Sequence, residues 1–234
     1  MDETKQIFTQ ILNNLSEKEM KTYINKYCKT NKAMVNKFIS LFAHKIEGNC
    51  EKKFNIIIDT AIEACLNRKS RFVIDPRKTN SALRPVFKIL KEEQNSYHEK
   101  PYESLVLVQI IIKNFVGLIE YFYVVHKFDI IDDLFIQTLD LLKSIYHSNT
   151  TPYEFKDEIF DYVLKISQEE IFNTFSTYMD MNIDLRLLKI VTSLNDNEKN
   201  IKILELVEKK IGLKKENSKE KIEKFKSELQ ELIK

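Results

Sequence analysis

The sequence predicts an all-α fold: about twelve helices in antiparallel hairpins, stacked as an irregular α-solenoid, with a compact irregular helical bundle as the alternative. Three observations predict it. The 234 residues include only 3 Gly and 4 Pro, too few turn formers for a β-sandwich or a Gly-rich nucleotide loop. Apolar residues, 43% of the chain, recur at the 3.6-residue period through most segments. Capping residues separate those segments at short intervals. Many short helices around one centre would each offer a single apolar stripe, and stacked hairpins resolve that difficulty. The expectation is one helical-repeat domain over 1–234, with 216–234 an exposed C-terminal capping helix.

The first stripe is Ile7, Phe8, Ile11, Leu12 and Leu15. Ser16-Glu17-Lys18-Glu19 then reads as a capping box, opening a helix striped by Met20, Tyr23, Ile24 and Tyr27. Thr30 or Asn31 can cap a third helix with Met34, Val35, Phe38, Ile39 and Phe42 inside, ended by a turn at Gly48-Asn49. A fourth runs from about Glu51 to Asn67, carrying Phe54, Ile57, Ile58, Ala61, Ile62 and Cys65. Asp75-Pro76 breaks the pattern, and Ser81 is expected to cap the next helix, with Pro85 near its first turn. Lys100-Pro101 separates that helix from the apolar stretch that ends near His126, where the β-branched runs Ile110-Ile111-Ile112 and Val124-Val125 leave a buried strand as an alternative. Asp132 or Asp133 is expected to cap the helix of Leu134, Phe135, Thr138, Leu141, Leu142 and Ile145. Thr151-Pro152-Tyr153-Glu154 reads as cap, N1 proline and acidic first turn. Ser167-Gln168-Glu169-Glu170 reads as a second capping box. Asp184, and Asn195 or Asp196, start two more helices, Gly212 stops the second, and the last carries Ile222, Phe225, Leu229 and Leu232. That final stripe can dock on the chain itself or seed a dimer.

Composition and charge narrow the function classes. The most apolar stretch, residues 104–125, carries Lys113 and Glu120 with Gln109 and Asn114; charges at that depth are costly in lipid, so no membrane span is expected. The opening MDETKQIF has no apolar core with a small-residue cleavage site, so no signal peptide is expected. Three cysteines (Cys28, Cys50, Cys65) without CxxC spacing suit a reducing, cytoplasmic setting. The net charge of +2 hides a segregation: +7 over residues 1–117, −9 over 118–198 and +4 over 199–234. Such separation steers charged partners or draws neighbouring faces of one fold together.

A stretch beginning Asn31-Lys32-Ala33-Met34-Val35-Asn36-Lys37-Phe38, a loop around Phe72-Val73-Ile74-Asp75 and a helix pair leading into Ile131-Asp132-Asp133 together resemble the helical-repeat region that accompanies bacterial SWIM zinc-finger proteins, over residues 31 to about 145. The resemblance implies a tetratricopeptide-like stack used for interaction. The zinc-binding Cys/His signature of the SWIM module is absent, so no metal or nucleic-acid role carries over.

Arginine placement is the most informative local feature. Four of the five arginines, Arg68, Arg71, Arg77 and Arg84, fall within seventeen residues. Guanidinium grips carboxylate or phosphate bidentately, as lysine does not. With Lys69 and Lys78 they form a candidate basic patch for an anion, a nucleic acid or an acidic partner; internal pairing with Asp59, Asp75 or the acidic middle is the competing account. Tyr97, Tyr102, Tyr121 and Tyr123 are a candidate aromatic groove for a peptide, against the commoner role of core aromatics with wet hydroxyls. The acidic cluster Asp129, Asp132, Asp133 and Asp140 lacks the alternation and the glycine of a calcium loop and reads as capping and solvated surface. His44, His98, His126 and His147 fit no metal spacing, and there is no GxSxG elbow. No metal or cofactor is expected. The expected function is a non-catalytic scaffold binding a protein or peptide, with nucleic-acid binding through the basic patch second and a helical enzyme third.

Overall fold

In the computed structural model the described residues are 3–31, 34, 35, 38, 49–65, 76–116, 129–169, 182–193, 196–211 and 216–233. Among them there are ten α-helices and no strand. These are α1 (Glu3–Asn14), α2 (Glu17–Thr30), α3 (Cys50–Cys65), α4 (Pro76–Ser96), α5 (Pro101–Val116), α6 (Asp129–His147), α7 (Tyr153–Ser167), α8 (Ile183–Ile190), α9 (Asn197–Ile211) and α10 (Glu216–Leu232). The expected helix from Met34 to Phe42 falls largely, and the one after Ser167 almost wholly, outside the described residues. The chain divides into two compact units, Met1–Glu47 and Gly48–Lys234.

In the first unit the capping box forms as the sequence predicts. Glu19 N–H donates to Ser16 Oγ at 3.3 Å, and Ser16 N–H donates to Glu19 Oε2 at 2.9 Å. Of the two candidate caps that follow, Asn31 is the one used: its Oδ1 accepts from Met34 N–H at 3.1 Å.

In the second unit α3 packs on α4 and α5, α4 on α5 and α6, α5 on α6, α6 and α7 on α8, and α9 on α10. Among the described residues, Phe54 of α3, Phe115 of α5 and Phe135 of α6 are the largest side chains wholly removed from solvent. Helix α5 is apolar on most sides because it is enclosed on most sides. Leu105, Leu107, Val108, Ile110, Ile111, Ile112, Phe115 and Val116 are all buried. Its β-branched run gives no strand. A helical Ile or Val loses about 0.5 kcal/mol of propensity, whereas burying one such side chain gains about 1.5–3 kcal/mol. Packing therefore decides.

Several boundaries differ from those expected. Helix α4 begins at Pro76, so Ser81 lies inside it and Pro85 sits well past the first turn. Proline at a helix start costs no hydrogen bond, so Pro76 can be the first residue of α4; Asp75 lies outside the described residues. Helix α6 starts at Asp129, about a turn before Asp132 and Asp133. Thr151 does not cap α7: its hydroxyl donates to Ile145 O at 2.7 Å, closing the end of α6, and Pro152 takes the cap position without a side-chain bond. Ser167 is the last residue of α7 and donates to Leu164 O at 3.0 Å; Glu170, the other half of the expected box, is outside the described residues. Asn49 caps α3, its Oδ1 accepting from Lys52 N–H at 3.2 Å; Gly48, the other half of the expected turn, is outside the described residues. Asp196 is the cap chosen for α9, accepting from Lys199 N–H at 3.0 Å.

The α10 stripe docks on the chain itself. Ile222, Phe225 and Leu229 are buried. Lys189 of α8 stands 4.9 Å from the Phe225 ring centroid and donates to Glu228 at 3.1 Å, and Lys226 pairs with Glu208 of α9 at 3.0 Å. Asn182 leads into α8 with φ 39, a left-handed conformation that asparagine tolerates better than most residues. Asp184, in the first turn of α8, bonds Lys210 of α9 at 3.0 Å, with side chains only 1% and 3% exposed.

Candidate functional site

The predicted basic patch is only partly described. Arg68, Lys69 and Arg71 lie outside the described residues. Arg77 and Lys78 lie in the first turn of α4. Arg84, two turns further on, is exposed. Of the aromatic groove, Tyr121 and Tyr123 are outside the described residues, while Tyr97 is half-buried with its ring edge-on to His98 at 5.7 Å. Tyr102 is exposed and lies 5.9 Å from the Phe155 ring of α7, a pairing that no local spacing announces.

Two clusters of ionisable groups stand in the second unit. At the first, α3, α4 and α5 bring Cys50, Lys53, Glu93, Lys100, Glu103 and Ser104 together. Ser104 Oγ donates to Glu93 Oε2 at 2.7 Å. Burial pushes the Glu93 carboxyl above its ordinary range; the Ser104 bond pulls it down, and the Glu103 charge pushes it up again. Burial, helped by Glu103, also raises the Cys50 thiol. A protonated thiol is a poor nucleophile; the Ser104–Glu93 bond is a polar latch between α5 and α4. Cys65 is likewise a core thiol, pushed up to about 12 by burial.

Folding disfavours the Glu93 carboxylate. Stability is therefore complete below the unfolded value of 4.5 and declines as pH rises through the folded value. Glu93→Gln keeps an acceptor for Ser104 and removes the charge. It is expected to raise the urea midpoint at about pH 7 and leave it unchanged at about pH 4. Equal midpoints for the two proteins at both pH values would contradict this account of the latch.

At the second cluster, Lys199 of α9 is held by Asp157 of α7 and lies 3.7 Å from Asp196. Its ammonium is 5.0 Å from the Tyr153 ring centroid and 5.2 Å from that of Phe160. Burial pulls this lysine down, but the Asp157 bond and the field of Tyr146, Asp157 and Tyr153 outweigh it, so it stays charged. Tyr146 donates to Val191 O at 3.3 Å, and Asn200 bridges Ser193 through both backbone groups at 2.6 Å and 3.1 Å. The cluster ties four helix ends together. Among the described residues no group of three His, Cys, Asp or Glu side chains converges as a metal site, and no helix is long and apolar enough to cross a membrane.

The arrangement best suited to recognition lies in the first unit. Ile7, Phe8, Ile11 and Leu12 of α1, with Tyr23 and Tyr27 of α2, are between 43% and 68% exposed. The two tyrosine rings are stacked, 6.1 Å apart and 9° from parallel. Helix α2 has no buried residue. Scattered apolar side chains are ordinary on a protein surface; here they recur at helical spacing on two successive helices. Sequence periodicity found both stripes without showing that they face solvent. Two further signals were available: residues 6–16 contain no charge, and two of the α2 positions are tyrosine, a residue suited to half-wet contacts.

No protein-family model, curated protein or solved structure matches the chain.

Proposed function

We propose that the chain is a non-catalytic interaction module that binds a protein or peptide through the apolar faces of α1 and α2. The observation that carries this reading is the exposure of six large apolar side chains at helical spacing on those two helices. Amphipathic helices with exposed apolar stripes gain stability by laying those stripes on a partner. Stacked hairpins form the rest of the scaffold, a reading supported by packing between successive and next-but-one helices of the second unit. The exposed Arg84 and Tyr102 support a secondary contact patch that includes Arg68, Lys69, Arg71, Arg77, Lys78, Tyr97, Tyr121 and Tyr123. A cytoplasmic setting belongs to the same reading, supported by free thiols at Cys28, Cys50 and Cys65.

Phe8→Glu tests the site. The side chain is exposed, so the variant folds with an unchanged urea midpoint, while a charge placed in the apolar contact weakens binding by at least about tenfold. The readout is affinity capture from native lysate by wild-type and variant chains, with and without nuclease. Loss of a nuclease-resistant partner from the variant alone is expected. Retention of every partner would remove the site, and partners lost only with nuclease would favour nucleic acid.

A further inference from the structure

We propose that one face of α7, formed by Tyr153, Asp157 and Phe160, is a recognition site for a primary ammonium group, and that Lys199 of α9 occupies it in cis. The ligand class is an alkylammonium, carried by a small amine or by the side chain of a lysine. The inference is independent of the α1–α2 surface.

Tyr153, Asp157 and Phe160 stand at i, i+4 and i+7 of one helix and so share a face. The spacing on α7 alone brings two rings and a carboxylate together; α9 contributes the occupant. The Lys199 ammonium lies 5.0 Å from the Tyr153 ring centroid and 5.2 Å from that of Phe160. Both distances fall within the roughly 6 Å over which a ring face attracts a cation. Asp157 Oδ1 bonds the same ammonium, and Asp196 Oδ2, from the turn that caps α9, stands 3.7 Å away. A compact ammonium meets these groups at one point, whereas the planar fork of a guanidinium is matched by paired acceptors in its own plane.

Burial separates this arrangement from an ordinary surface ion pair, in which both charges stay in water. The Lys199 side chain is only 12% exposed, while that of Asp157 is 44% exposed and Tyr153 is 64% exposed. The occupant is enclosed, and two of the three walls remain open to solvent. That leaves a route for an external amine once the lysine is gone. Phe160, 2% exposed, closes the inner side. The site favours the charged form of its occupant, because the Asp157 bond and the surrounding field outweigh the cost of burial. In the wild-type chain the tethered lysine has an effective concentration on the order of millimolar or more, so a free amine competes poorly.

Chemical rescue of the full chain tests the proposal. Lys199→Ala deletes three methylenes and the nitrogen, which together are propylammonium. The variant's urea midpoint falls, and propylammonium is expected to raise it again along a saturating curve. At about ten times its dissociation constant it shifts the folding equilibrium about tenfold. 1-Propanol, of similar shape without the charge, and sodium chloride at equal ionic strength are expected to give no such rise, and wild type is unmoved by the amine. Adding Asp157→Asn to Lys199→Ala weakens the response at least about tenfold. Nα-acetyl-lysine amide separates the two sources of the ligand: rescue by it assigns the site to lysine side chains, and rescue by propylammonium alone assigns it to small amines. Should Lys199→Ala fail to fold, Lys199→Met keeps the stem and lacks only the nitrogen, and ammonium chloride is compared with sodium chloride on that variant. Absence of a charge-selective rise would overturn the site. So would an equal rise with 1-propanol, an equal rise in wild type, or a rise undiminished by Asp157→Asn.

Discussion

Replacing Lys210 by methionine is expected to lower the stability of the C-terminal unit by about 3–5 kcal/mol. Lys210 and Asp184 bond at 3.0 Å with both side chains almost fully out of solvent. Taking two charges out of water costs several kcal/mol each, and their mutual attraction offsets that cost only while both are present. Methionine keeps the aliphatic stem and removes the ammonium, so the buried Asp184 carboxylate loses the charge 3.0 Å away. At 2–4 °C per kcal/mol for a unit of this size, the melting temperature falls by roughly 10 °C. Asp184→Asn removes the remaining charge. The double variant is therefore expected to cost less than the two single costs combined, with a coupling of about 1–3 kcal/mol in a urea double-mutant cycle. Strict additivity would mean that the pair does not act as a unit.

The second large effect is in the core. Phe135→Ala is expected to cost about 3–5 kcal/mol. The ring on α6 is wholly buried, and α6 packs on α4, α5 and α8, so the void it leaves is lined from several sides and cannot collapse freely. Phe8→Ala, removing the same ring from an exposed position, is expected to change stability by less than about 0.5 kcal/mol. The two phenylalanines thus separate folding from the proposed recognition: Phe135 is buried in the core, and Phe8 is exposed. A loss at Phe8 as large as that at Phe135 would show that the α1 stripe is part of the chain's own core.

Much of this fold is local, and local chemistry is legible. Ser16 with Glu19 specifies the start of α2, Asp196 the start of α9, and the spacing of Ile222, Phe225 and Leu229 the inner face of α10. Misreadings arose where one residue type serves two purposes. Pro76 breaks a preceding helix and opens the next equally well, and a threonine before proline reads as a cap until its hydroxyl is seen donating to Ile145. Pairings distant in sequence carry no periodic signal at all. Asp184 meets Lys210 across 26 positions, and Lys199 meets Asp157 across 42. The segregation of charge into a basic start and an acidic middle hinted at internal attraction without naming a pair. The candidate site was half legible: the stripes of α1 and α2 stand out in the sequence, but a stripe does not say whether its own chain covers it. The arginine window is legible through residue choice, but Arg68, Lys69 and Arg71 lie outside the described residues.

The central claim, that α1 and α2 are the surface this chain uses for binding, is tested most directly by amide hydrogen exchange on the full chain, compared between the chain alone and the chain held by a captured partner. The account predicts slowed exchange across residues 3–30 on binding, with the amides of α5 and α6 unchanged because the core that protects them is already complete. Unchanged exchange across residues 3–30, with new protection confined to the C-terminal unit, would contradict it.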